Sequence, residues 1–83
     1  PFFIMYKVYI LYSSIVGKYY TGMTSLTIED RLAYHNYKNK SFTQQANDWE
    51  VIFTKDCKSK KEAALFEKKI KKRGAKRFLE SNS

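Results

Sequence analysis

Hydrophobic positions along this chain form three short runs with the spacing of strands. Residues 6–12 are rich in aromatic and β-branched side chains and contain no Gly or Pro, which predicts a strand. Residues 13–17 are typical of a turn, and residues 18–23 then predict a second strand that pairs back as a hairpin. A third strand is predicted over residues 49–53 and ends around residues 55–57.

A first helix is predicted from Thr27, whose hydroxyl can cap the helix ahead of two acidic residues in its first turn. Helical spacing places four residues on its inward face: Ile28, Arg31, Leu32 and His35. A partly buried imidazole and a surface ion pair would explain the two cationic residues structurally. Their occurrence together on one stripe, facing the tyrosines of the hairpin, favours a functional explanation. Residues 36–48 are polar and predict a loop.

A second helix is predicted from the capping box of residues 59–62 to about Arg73, followed by Gly74, a residue type common after a helix C terminus. Its apolar stripe contains Ala63, Phe66 and Ile70. Glu67 belongs to the same stripe. Because a buried carboxylate without a partner is costly, we expect Glu67 to meet Arg31, another cation such as a lysine, or a metal ion.

A short last helix over residues 75–80 completes the order strand, strand, helix, strand, helix, helix. This order predicts an α/β protein of the α+β type, with a small three-stranded antiparallel sheet flanked by helices. With 83 residues, of which 43% are hydrophobic, we expect a single domain over residues 1–83 with one modest core.

Two features of the sequence bear on where in the cell the protein is found. The apolar residues 1–11 are too few to span a bilayer and are interrupted by Lys7, so we expect a strand there and no membrane association. Cys57 is the only cysteine and cannot form a disulfide within the chain, which favours a reducing, cytoplasmic setting. We expect it to act as a small hydrophobe and not as a reactive thiol.

Positive charge is concentrated in the last third of the chain. The formal net charge is +8, and residues 54–77 contain eleven basic and three acidic residues, which accounts for the whole excess. Such polarised charge favours a polyanion as partner, although a lysine-rich helix that only confers solubility would have the same composition. We expect DNA to be bound by basic residues of the second helix: Lys68, Lys69, Lys71, Lys72 and Arg73.

Tyrosines of the predicted hairpin are the clearest candidates for chemistry. Alternation along the strands puts Tyr9 on the face of Leu11, and Tyr20 on the face of Gly22. Gly22 has no side chain and would leave space beside the tyrosines for a ligand or a close backbone approach. With the inward guanidinium, imidazole and carboxylate of the two helices, these phenols would form a site suited to phosphodiester chemistry.

The chain resembles the GIY-YIG nuclease superfamily, and specifically its short stand-alone members, which are similar to the N-terminal nuclease domain of the bacterial excision-repair endonuclease UvrC. Five segments in the family's order carry the resemblance: residues 8–11, 19–24, 31–36, 49–53 and 62–71. The departures are Lys7 for the Gly of the first motif, Val8 for its Ile, and Thr21 for the Ile of the second motif.

By this resemblance, Tyr9 would be the general base or a water-positioning phenol, and Tyr20 would help to orient the nucleophile and the phosphate. Arg31 would stabilise charge on the scissile phosphate, with His35 assisting proton handling or phosphate contact. Glu67 would hold one divalent cation, Mg²⁺ or Mn²⁺. Mg²⁺ commonly accepts one or two carboxylates and keeps several waters, so a single inward carboxylate suggests a one-metal mechanism.

These features predict a metal-dependent endonuclease that hydrolyses DNA with little sequence preference, because a lysine-rich face contacts phosphates without reading bases. The resemblance adds a role in DNA repair or recombination. The main alternative is a non-catalytic nucleic-acid-binding module of the same fold, and a third is a subunit that depends on a partner protein. Sequence leaves open whether the substrate is a flap, a junction, a nicked duplex or RNA.

Overall fold

The computed structural model describes residues 5–25, 32, 33, 36 and 46–81. The described residues form three strands and two helices: β1 (Tyr6–Ser13), β2 (Lys18–Thr24), β3 (Glu50–Cys57), α1 (Lys60–Arg73) and α2 (Ala75–Ser81). Of the helix predicted from Thr27, Leu32 and Ala33 are helical, whereas Arg31 and His35 lie outside the described residues. Asn36 is also helical, so the prediction that the loop begins there was wrong.

The three strands form one antiparallel sheet with β1 in the centre, in the order β2-β1-β3. This arrangement confirms the predicted α+β class and the three-stranded antiparallel sheet flanked by helices. Across the hairpin, Tyr9 lies opposite Gly22, and Leu11 lies opposite Tyr20. Since directly opposed residues share a face of the sheet, the two tyrosines project from the same side.

Pairing between β1 and β3 is interrupted by one extra residue on β3. Ile10 is opposite Phe53 and Leu11 is opposite Val51, so Ile52 has no partner in the ladder. A bulge of this kind changes the alternation of the strand that contains it. As a result, Phe53 packs on one face of the sheet and Val51 on the other, although they are two residues apart.

Apolar side chains form two clusters, one on each face of the sheet, and not the one core that we expected. Both helices cover the first cluster, which contains Val8, Ile10, Cys57, Ala63, Ile70 and Phe78. Tyr9, Leu11 and Trp49 form the second, with Leu32 packed against it. The reason is the alternation of β1, which is apolar on both sides: every residue from Val8 to Leu11 is at most 1% exposed.

Both ends of α1 follow local signals in the sequence. The Ser59 hydroxyl accepts a hydrogen bond from the Glu62 amide at 3.1 Å. The Glu62 carboxylate in turn accepts from the Lys58 amide at 3.3 Å, one residue before the partner in a standard capping box. At the other end, Gly74 has φ +94° and donates to the Ile70 carbonyl at 2.8 Å, which allows α2 to begin at the next residue.

Cys57 is fully buried, and desolvation raises the pKa of its thiol. The prediction that it acts as a small hydrophobe is therefore confirmed. Neither helix of the described part of the chain is long and apolar enough to cross a membrane.

Candidate active site

Tyr9 lies in the middle of the central strand, and its phenol extends across β2 above Gly22. A Cβ atom built on Gly22 would lie 2.6 Å from the Tyr9 phenol oxygen and 2.7 Å from its Cζ. The Tyr9 side chain is 1% exposed, so it has little room to move away. We expected the missing side chain of Gly22 to leave space for a ligand or for backbone, and that was wrong, because the space is filled by Tyr9.

Tyr20 approaches the same place from β2. Its ring centroid is 6.4 Å from that of Tyr9, with an angle of 37° between the ring planes. Its Cε2 would be 3.1 Å from a Cβ on Gly22. The structure thus brings together Tyr9, Tyr20 and Gly22, the three hairpin residues of the predicted site.

Tyr20 differs from Tyr9 in that it reaches the surface. It is half-buried and lines an open depression of about 350 Å³ between β2 and the two helices. The other residues of this depression are Tyr19, Thr21, Lys71 and Ala75. A ligand in this depression would therefore contact residues of β2 and a lysine of α1 together.

Glu67 lies one helical turn before Lys71 on α1. Its carboxylate is 3.7 Å from the Lys71 ammonium, and its side chain is 22% exposed. A lysine is therefore the cation that it meets, one of the three partners expected from the sequence. The contact is longer than a hydrogen bond, so it leaves oxygen lone pairs of the carboxylate available to another cation.

Among the described residues, no group of three or more His, Cys, Asp and Glu side chains could hold a metal ion. Glu67 alone fits only an ion that takes most of its ligands from water and substrate, which is typical of Mg²⁺. Arg31 and His35 complete the predicted site but lie outside the described residues. Their roles, like those of Tyr9, Tyr20 and Glu67, stay predictions.

The family model described as the GIY-YIG catalytic domain matches residues 5–80, which is nearly the whole chain. The chain belongs to the GIY-YIG family. No curated protein and no solved structure gives a significant match. Membership makes this a nuclease domain, with DNA as the implied substrate, and confirms the family predicted from the motif residues.

The basic residues predicted to bind DNA differ in the depressions that they line on this GIY-YIG domain. All five are exposed on α1. Lys71 lines the depression beside Tyr20, and Lys72 and Arg73 line another depression together with Arg77 of α2. Lys68 and Lys69 line neither of these two depressions.

Sequence reasoning missed a carboxylate that supports the β1–β2 hairpin of the GIY-YIG domain. Asp48 accepts hydrogen bonds from the Ser13 hydroxyl and from the Ile15 amide, the latter at 3.0 Å. The Ser13 hydrogen bond is the main reason why the pKa of Asp48 lies below its usual 3.8, and burial opposes it. No local signal marks Asp48, because Ser13 lies 35 residues away in the chain.

Asn36 was missed as well. Its side-chain amide accepts from the Trp49 amide at 2.8 Å and donates to the Trp49 carbonyl at 3.2 Å, as a neighbouring strand would. This pair ties Asn36 to the start of β3 and, through Trp49, to the tyrosine face of the sheet. The one sequence feature that could have identified Asn36 is its position in the motif segment 31–36.

Proposed function

We propose that this GIY-YIG domain is a metal-dependent endonuclease that hydrolyses DNA phosphodiester bonds with little sequence preference. The observation that carries the proposal is the packing of Tyr9 and Tyr20 around Gly22, beside the depression that Lys71 shares with Tyr20. Lys71, the ion-pair partner of Glu67, lines that depression, which supports a position of the carboxylate near Tyr20.

Hydrolysis requires a water oxygen to bond to phosphorus while the bond to the leaving oxygen breaks; a proton is lost from the water and one is gained by the leaving group. Tyr20 lines the depression and is half-buried, so in this proposal its phenol would contact the phosphate directly. Tyr9 is almost fully buried, so its hydroxyl would position the water or receive a proton through a neighbouring group.

In this proposal Arg31 stabilises the charge on the scissile phosphate, and His35 assists proton transfer or phosphate contact. Both belong to the motif segment 31–36, whose Leu32 packs against the Tyr9 cluster and whose Asn36 is bonded to Trp49. These contacts hold Leu32 and Asn36 at the tyrosine face of the sheet.

Glu67 would hold the divalent cation, Mg²⁺ or Mn²⁺, through one carboxylate. Its half-buried position and its loose contact with Lys71 support this assignment. A bound cation would supply charge neutralisation at the phosphate. We extend the proposal to a cytoplasmic repair or recombination setting, which a free, buried cysteine supports as far as a reducing compartment is concerned.

The test is Glu67→Gln, compared with the parent on labelled single-stranded, duplex and branched DNA with Mg²⁺, with Mn²⁺ and with chelator. We expect cleavage by the parent only with metal and background cleavage by the variant. Binding of Mn²⁺, followed by electron paramagnetic resonance, should weaken in the variant. Its stability should fall by no more than about 0.5 kcal/mol, because an i,i+4 ion pair with an exposed partner contributes little.

Glu50→Gln is the matched control, since Glu50 is an exposed carboxylate on β3. It should cleave and bind Mn²⁺ as the parent does. A parent protein that cuts none of the substrates would support the non-catalytic binding module. If Glu67→Gln unfolds at a much lower urea concentration, the carboxylate has a structural role, because breaking a buried ion pair costs about 3–5 kcal/mol.

A further inference from the structure

Three neighbouring depressions lie around the corner between α1 and α2 and share lining residues. The one beside Tyr20 shares Tyr19 and Ala75 with a second, of about 500 Å³. The second shares Arg73 and Arg77 with a third, of about 530 Å³. Each volume lies within the range of about 300–1,000 Å³ found for ligand clefts. We call these three depressions together the corner track.

Cations dominate the walls of the corner track. Its six basic residues are Lys18, Lys71, Lys72, Arg73, Lys76 and Arg77. Glu80 is the one acid among the described residues that line it. A concave surface of one charge sign attracts a polyanion more strongly than the same charges spread over a convex face.

Its floor is made of small and aromatic groups. Gly17, Gly74 and Ala75 line the middle of the track beside the ring of Tyr19. Tyr19 is half-buried, and its ring packs against the ring of Tyr12, with the two centroids 4.9 Å apart. An aromatic side chain in a depression lined by cations suits single-stranded nucleic acid, because a base can stack on the ring while phosphates pair with the cations.

Local backbone geometry creates the corner. Gly74 adopts φ +94°, so α2 leaves α1 at once and Arg73 and Arg77 line the same depressions. The Arg73 guanidinium donates to the Ser81 hydroxyl at the end of α2, which fixes its direction across the corner. A positioned guanidinium can bind phosphate with less loss of side-chain entropy than a mobile one.

We infer that the corner track binds a single-stranded segment of DNA that flanks the cleavage position at Tyr20. The preferred substrate is then duplex DNA with a single-stranded tail or branch, not a continuous duplex. The location of the scissile phosphate rests on the proposed function, whereas binding in the track does not depend on cleavage.

The test measures binding without metal by fluorescence anisotropy, using a blunt duplex and the same duplex with a single-stranded tail at either end. We expect the parent to bind a tailed duplex about tenfold tighter or more, since one stacked base alone contributes about this factor. Arg73→Ala combined with Arg77→Ala should abolish most of this ratio while the affinity for blunt duplex falls much less.

Lys60→Ala combined with Lys61→Ala removes the same charge from exposed positions at the other end of α1 and should keep the ratio. Lys76→Ala combined with Lys18→Ala is a second pair on the track, and melting temperatures verify that every variant is folded. A ratio near one in the parent, or an unchanged ratio in both track variants, would overturn the inference. Tail-dependent binding without cleavage of any substrate would overturn the proposed nuclease and leave the track intact.

Discussion

Gly22 and Tyr9 are each required by the other. Tyr9 is 1% exposed in the cluster that it forms with Leu11 and Trp49, so its phenol has one place to lie. That place is directly above Gly22, where any Cβ atom would come within 2.7 Å of the ring. The glycine is therefore explained by the side chain across the hairpin and not by its own backbone conformation. Tyr20 can also lie beside Tyr9 because Gly22 has no Cβ atom.

Gly22→Ala should lower the free energy of unfolding by about 1–3 kcal/mol, the usual cost of overpacking a rigid interior. It should also reduce cleavage, because Tyr9 must shift. Adding Tyr9→Phe should restore only part of the stability, since Cζ would still lie 2.7 Å from the new methyl group. Urea unfolding measures both effects.

Gly17→Asn is the control for this substitution. Gly17 has φ +65° and nothing within 4 Å of a built Cβ, and asparagine tolerates that backbone region better than other residues. Its cost should be below that of Gly22→Ala. Equal stability of Gly22→Ala and the parent would show that Tyr9 is free to move.

At the scale of elements, local signals in the sequence predict most of the fold. Strands β1 and β2 follow from their composition and the turn between them, and α1 follows from Ser59 at one end and Gly74 at the other. The face shared by Tyr9 and Tyr20 was also predictable, because a short hairpin leaves few possible registers. Each of these features depends on residues that are close in the chain.

The bulge in β3 could not be predicted in this way. Strict alternation places Val51 and Phe53 on one face, and only their pairing with Leu11 and Ile10 of β1 separates them. That pairing joins residues about 40 positions apart, so no local pattern reveals it. If Ile52 were present and paired in a regular ladder, Val51 and Phe53 would share a face, and one of the two apolar clusters would lose a member.

Deletion of Ile52 tests this role of the bulge. Removing the extra residue makes Val51 and Phe53 adjacent, so ordinary alternation keeps them on opposite faces, paired with Leu11 and Ile10. We therefore expect the deletion to fold and to unfold at about the same urea concentration as the parent. Ile52→Thr keeps the residue count and changes a side chain that is 42% exposed, so its effect should stay within about 0.5 kcal/mol. A deletion that unfolds at a much lower urea concentration would mean that the bulge stabilises the fold in a way that a regular ladder does not.

At the scale of the whole molecule, the site combines predictable and unpredictable parts. The phenols were found from their strands, whereas the support given by Asp48 and Asn36 depends on contacts across the fold. The arrangement of the positive charge was likewise predictable only in part from the sequence. Composition located the excess of cations in the last third, but only the α1–α2 corner shows which of them line a concave surface.

Salt dependence of DNA binding measures how many of these cations contact phosphate. Each phosphate neutralised on duplex DNA contributes about −0.9 to the slope of log K against log salt, and about −0.7 on a single strand. Lys71→Ala combined with Lys72→Ala should therefore make the slope less steep by about 1.4–1.8. Lys60→Ala combined with Lys61→Ala should leave it close to that of the parent, although both pairs remove two charges from α1. The two variants have the same net charge, so a uniform electrostatic field would change both slopes equally. Equal changes would mean that total charge, and not the concave arrangement at the corner, governs binding.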